Sequence, residues 1–240
     1  SFYISGNTAS NVVLNSRGVL YISSGGIASA TTVNNGGGQY IVSGGVASGT
    51  TVNYGGRQDI RSSGVANSTI ISSGGSENIS SGGIANSATI NSGGNQNILS
   101  GGIASATTVN SGGLILVSQG GSALALTRSA GAAIGANVIG GGTTLVSGTN
   151  ESGSFYISGN TASNVVLNSR GVLDISSGGI ANSTTINSGG QTLYSGAIAN
   201  STTLNNGTQM INGGGSANDT TVNSGGLQYL FTSGFATTTI

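Results

Sequence analysis

The sequence predicts an all-β protein, a parallel β-solenoid (β-helix) with about 19 residues per coil and twelve or thirteen coils. Three observations carry that expectation. First, alanine recurs at Ala9, Ala28, Ala47, Ala66, Ala85, Ala104 and Ala123, each step 19 residues. The register resumes at Ala162 and Ala181, then at Ala199, Ala217 and Ala236, with two steps shortened to 18. Second, each unit holds two short extended stretches, one around T-T-V and one around Q-x-I, as in A-S-A-T-T-V-N-N-G-G-G-Q-Y-I-V-S-G-G-V from Ala28 to Val46. Third, each stretch ends in a glycine-rich corner, here Gly36-Gly37 and Gly44-Gly45. Short runs bounded by Gly and Asn at a fixed period are the pattern of stacked coils. A helical reading fails, because the apolar residues do not recur at 3.6 and glycine pairs every nine or ten residues would break each helix. At roughly 4.8 Å per coil the stack is a rod on the order of 60 Å long.

Residues 1–123 read as regular coils. The position five after each alanine is Leu14, Val33, Val52, Ile71, Ile90, Val109, Leu167, Ile186, Leu204 and Val222, an inward aliphatic column. The next position is Asn15, Asn34, Asn53, Asn91, Asn110, Asn168, Asn187, Asn205 and Asn223, with Ser72 and Ser129 as exceptions. Stacked amides of this kind can hydrogen-bond along a rod. The glycine pairs are expected to need positive φ. They are not phosphate cradles, which want a lysine and a following helix.

Over residues 124–153 the pattern blurs, and an irregular coil or protruding loop is expected there. Residues 154–240 read as regular coils again, completing one continuous domain. They open with a duplication: 1–20 recur unchanged at 154–173, and the match runs on to Ala28 and Ala181 with only Tyr21 against Asp174 differing.

Composition excludes whole classes of function. There are 46 glycines and 40 serines, five arginines against five acids, and no Lys, His, Pro, Cys or Trp. Without Cys or His there is no disulfide, thiol nucleophile, Cys/His zinc site or histidine base, and neither a metal nor a cofactor is expected. Five scattered arginines make no nucleic-acid footprint. The 35% hydrophobic content and zero net charge also separate the chain from a disordered linker. Ser1 without an initiating methionine is expected of a fragment, so a signal peptide would lie outside it.

The units I-A-S-A-T-T-V-N-N-G-G-G-Q-Y-I-V-S-G-G (27–45), I-A-N-S-T-T-I-N-S-G-G-Q (180–191) and A-N-D-T-T-V-N-S-G-G-L-Q (217–228) resemble the passenger repeats of the AIDA-type self-associating autotransporter adhesins. The resemblance covers nearly the whole chain, and the serine-rich, acid-poor composition leans toward the glycosylated members. It implies a right-handed β-helix passenger displayed at the surface of a Gram-negative cell, exported through the periplasm and anchored by an outer-membrane barrel. It implies aggregation with copies of itself on neighbouring cells, biofilm formation and adherence to a host-cell surface. It further implies a cytoplasmic heptosyltransferase as a partner that modifies repeat serines.

Two serine columns meet that last expectation. One precedes the second glycine pair: Ser24, Ser43, Ser62, Ser81, Ser100, Ser177 and Ser195. The other precedes the first: Ser16, Ser73, Ser92, Ser111, Ser169, Ser188 and Ser224. Exposed corners with glycine neighbours give a transferase room. The plainer reading is that the hydroxyls satisfy turn backbone, in which case the rod self-associates without sugar.

Two remoter functions fit a β-solenoid less well. A polysaccharide-processing β-helix needs paired carboxylates facing a groove. Here only Asp59 and Glu77 fall on neighbouring coils, and Arg57, Asp59 and Arg61 alternate onto one face as a small ion cluster. An ice-binding solenoid needs T-x-T on one flat side. The pairs Thr31-Thr32, Thr50-Thr51, Thr107-Thr108, Thr184-Thr185, Thr202-Thr203 and Thr220-Thr221 abut instead, so their members should point to opposite faces. No catalytic residues are assigned.

Overall fold

The structure, a computed structural model, describes residues 1–128, 133–137 and 145–239. Among these residues there is no helix, and the chain is a parallel β-solenoid as expected. Each regular coil has three strands rather than two. In one coil they are Ile27–Ser29, Thr32–Val33 and Gly38–Ile41. Each pairs in parallel with its counterpart in the next coil, Ile27 with Val46, Thr32 with Thr51, Gly38 with Arg57. Three sheets therefore run along the rod, termed here the alanine, threonine and glutamine faces.

The alanine strand is the one the sequence pattern missed, because the corner after it carries no glycine signal. The residue two after each column alanine turns the chain with φ between 51° and 65°: Asn11, Ala30, Gly49, Ser68, Ser87, Ala106, Ala125, Asn164, Ser183, Ser201 and Asp219. Only one of these is glycine. The left-handed strain is held by a backbone ladder between stacked corners, such as Gly49 N–H to the Asn67 carbonyl at 2.9 Å.

The two glycines of a pair meet different demands, which corrects the expectation that both need positive φ. The first does, as at Gly36 (72°) and Gly44 (77°). The second is needed for close approach: a Cβ on Gly37 would stand 2.5 Å from the Leu14 carbonyl oxygen of the coil below, and one on Gly45 would fall on that of Ile22. At Ser63-Gly64, where serine takes the first place with φ 63°, a Cβ on Gly64 would likewise fall on the Ile41 carbonyl.

The aliphatic column is buried from Leu14 to Val109 and again from Leu167 to Leu204, while Val222 is partly buried. Between those runs the register places Arg128 and Asn150 in it, 3% and 0% exposed. Burial lowers the Arg128 guanidinium to about 10, and it lies 5.8 Å from the centre of the Phe155 ring. The alanine column bridges the duplication joint through buried Val146, which pairs with Ala123 below and Ala162 above. The steps there are 23 and 16 residues by numbering, with a register shift between Ala123 and Leu126. Among the described residues the register is therefore irregular between Ala123 and Ala162, while parallel pairing continues through Val146 and Asn150. A protruding loop within 124–153 would fall on 129–132 and 138–144, outside the described residues.

Candidate acceptor-serine surface

The glutamine strand lies between the two glycine corners, so the two serine columns flank the glutamine face along the rod. All fourteen candidates are exposed: Ser16, Ser73, Ser92, Ser111, Ser169, Ser188 and Ser224 on one side, Ser24, Ser43, Ser62, Ser81, Ser100, Ser177 and Ser195 on the other. In the second column the main chains stack into a ladder from Ser24 to Ser100, with Ser24 N–H donating to the Ser43 carbonyl (2.9 Å), Ser43 to Ser62 (2.7 Å) and Ser62 to Ser81 (2.9 Å). The side chains do not take part: none of the fourteen hydroxyls makes a hydrogen bond within the described residues. Satisfying turn backbone is therefore not what these hydroxyls do here. The glycine of the next coil lies directly over several of them. A Cβ on Gly93 would come 2.7 Å from Ser73 Oγ, and one on Gly112 2.6 Å from Ser92 Oγ. Glycine at that corner leaves the hydroxyl open.

The asparagine column forms the expected amide ladder. Asn34 donates to Asn15 and Asn53 to Asn34, both at 2.9 Å, Asn110 donates to Asn91 at 3.0 Å past the exception at Ser72, and the run continues from Asn168 to Asn223. A second ladder, not anticipated, sits one residue after the column alanine, where Asn200 donates to Asn182 and Asn218 to Asn200 at 2.9 Å.

The larger surprise is inside. Gln39, Gln58, Gln96, Gln191 and Gln209 are fully buried. Gln58 donates to Gln39 (2.6 Å), Gln209 to Gln191 and Gln228 to Gln209 (both 2.8 Å). Buried threonines extend the network in most coils: Thr50 donates to Gln39 and Thr69 to Gln58, both at 3.0 Å, whereas Thr31 Oγ1 has no partner among the described residues. Thr31, Thr50, Thr107, Thr184, Thr202 and Thr220 are buried while their partners face outward, so the two members of each pair do take opposite faces. Strand parity could have revealed the glutamines, since Gln39 and the buried Ile41 share one side of a strand.

The same parity separates the acids. Glu77 stacks on Gln58 inside the core, while Asp59 stacks on Asn78 in an outward column. Asp59 and Glu77 therefore do not approach one another, because their side chains leave the sheet on opposite faces. Asp59 accepts from Arg57 Nε at 2.7 Å and Asn78 Nδ2 at 2.9 Å, while Arg61 joins no ion pair among the described residues. Glu77 accepts from Gln96, and its Oε1 has no hydrogen-bond partner among the described residues. Burial pushes its carboxyl up to about 7, partly offset by Gln96 and Thr69.

Comparison with known proteins agrees with this architecture. A family model described as the adhesin of the bacterial autotransporter system, probable stalk, matches residues 1–56, 24–75, 35–94 and 147–208. The chain belongs to the AIDA autotransporter adhesin family. Among solved structures, the TibC-catalyzed hyper-glycosylated TibA55-350 fragment is similar at 36% identity and a TM-score of 0.78, covering 98% of this chain and 94% of that one. No curated protein sequence matches. The coil-by-coil stacking fits the description of that family as a probable stalk.

Proposed function

We propose that the chain is the surface-displayed passenger of an outer-membrane autotransporter, acting as a non-enzymatic, self-associating adhesin in cell aggregation, biofilm formation and host adherence. Its corner serines are the acceptors of a cytoplasmic heptosyltransferase. The observation that carries the sugar assignment is the pair of columns of exposed, unengaged hydroxyls, several of which, such as Ser73, Ser92, Ser100 and Ser195, lie under a glycine of the next coil. The glycosylation named for the similar TibA fragment supports it. Self-association follows from a rod with zero net charge and repeated polar side chains, where weak hydrogen bonds sum over many coils. The separation of Asp59 from Glu77 supports the absence of a hydrolytic carboxylate pair.

The test is the intact mass of the chain purified from its native cell, set against expression without the transferase. Mass increments of one heptose each are expected, and fragmentation should place them on the two serine columns. An unmodified mass, or sugar elsewhere, overturns the acceptor assignment and leaves association of the bare protein. Alanine at the column serines with unchanged mass would do the same.

A further inference from the structure

The internal duplication makes a controlled comparison on the glutamine face. In the first copy Tyr3, Tyr21 and Tyr40 form a continuous outward stack, with ring centres 4.9 and 5.0 Å apart and planes within 8° and 17° of parallel. The second copy dismantles that stack. Tyr156 replaces Tyr3, but Asp174 stands where Tyr21 was, and Thr192 aligns with Asp174 in the next coil. The missing ring reappears one column over: Tyr194 follows Leu193 where Val42 follows Ile41 in the first copy. Where the first copy has ring on ring, the second has an open cleft of about 350 Å³ lined by Tyr156, Asp174, Ser176 and Tyr194.

The lining combines three kinds of group. Tyr156 and Tyr194 are 46% and 44% exposed and offer flat apolar surface. The Asp174 carboxylate is half-buried, is hydrogen-bonded by Thr192, and forms no ion pair among the described residues. The hydroxyls of Tyr156 and Ser176 are joined at 2.7 Å, a donor and acceptor pair at the cleft wall. Small-ligand sites take this form, apolar walls with a few convergent polar groups.

We propose that this cleft binds a neutral pyranose sugar. One C–H face of the ring stacks on tyrosine, as Tyr21 stacks on Tyr3, and vicinal hydroxyls donate to Asp174 and bridge to the Tyr156–Ser176 pair. A quaternary ammonium would satisfy the rings and the carboxylate but leave both hydroxyls unused. The sugar has two possible sources, a glycan on another copy of this chain or a host-cell glycan. The site itself does not depend on whether this chain's own serines are glycosylated.

The test uses saturation-transfer NMR on the whole chain, expressed without a transferase, with a panel of methyl hexopyranosides and heptopyranosides and tetramethylammonium as the cationic control. The expected result is transfer to pyranose ring protons, with a Kd on the order of 1–10 mM for a ligand this small. Asp174→Tyr, which restores the residue of the first copy, should fold and reduce the transfer at least tenfold. Tyr194→Ala should reduce it with an unchanged circular dichroism spectrum. No transfer to any pyranoside, equal transfer in Asp174→Tyr, or binding of tetramethylammonium alone overturns the proposal. Immobilised chain then separates the sources: Asp174-dependent retention of a heptosylated copy points to the first, and of host glycopeptides to the second.

Discussion

Replacing Glu77 by glutamine should stabilise the rod, and only above mildly acidic pH. Glu77 occupies a buried column whose other polar members are amides, and a carboxylate there has no hydrogen to pass along the ladder. Its coil is also the one in which Ala88 stands at the position of the buried threonines. The single hydroxyl hydrogen of Thr69 goes to Gln58 Oε1 at 3.0 Å, so Thr69 relieves Glu77 only weakly. The carboxyl titrates near 7 in the fold against 4.5 when exposed. Below about 4.5 it is protonated in both states and imposes no penalty. Between 4.5 and about 7 the unfolded chain ionises while the fold keeps its proton, so stability falls as pH rises. Above about 7 the full penalty applies, about 3 kcal/mol at 1.36 kcal/mol per unit. Denaturant unfolding followed by far-ultraviolet circular dichroism at pH 4 and pH 8.5 measures it. The wild type and Glu77→Gln should nearly coincide in acid and separate by up to about 3 kcal/mol in base. A difference that is the same at both pH values, or absent at both, would refute the argument that an ionised carboxylate is what the column excludes.

Other outcomes follow from the same geometry. Ala30→Gly, Ala106→Gly and Ala125→Gly each relieve a left-handed corner and should raise stability by about 0.5–1 kcal/mol, read as additive shifts in denaturation midpoint. Gly64→Ala has ordinary φ but sets a Cβ on the Ile41 carbonyl, so it should cost about 3 kcal/mol or prevent folding, visible as lost strand signal. Arg128→Leu restores the aliphatic column and should stabilise by about 1–2 kcal/mol. A loss of stability instead would mean that the guanidinium has an anionic partner.

The periodic part of this molecule was legible in its sequence. The spacing of the alanines, the aliphatic column, the asparagine ladder and the opposed threonines all follow from strand parity repeated at one period. The exposed position of the serine columns was legible too, because glycine pairs mark corners. Less was legible where one conformation has several residue solutions. The corner after the alanine strand accepts Asn, Ala, Gly, Ser or Asp, because the coil-to-coil backbone ladder and not the side chain stabilises it. No composition signal could have marked it.

The cleft and the buried acid lie furthest from the sequence pattern. Tyr21 against Asp174 is visible as one difference within a duplicated block, but its consequence depends on what stacks above and below. Only the fold shows that Tyr40 has become Thr192 in that column and that a ring now stands at Tyr194 beside it. Likewise Asp59 and Glu77 look like neighbours on adjacent coils and prove to be on opposite sides of a sheet. The sequence by itself determined the repeat, the fold class and the family, because each coil must present the same side chains to its neighbours to stack at all. Tertiary structure alone decided which polar groups are buried, which face solvent, and where the stack leaves a gap. Those properties depend on contacts between coils, which the order of residues within a single coil does not contain.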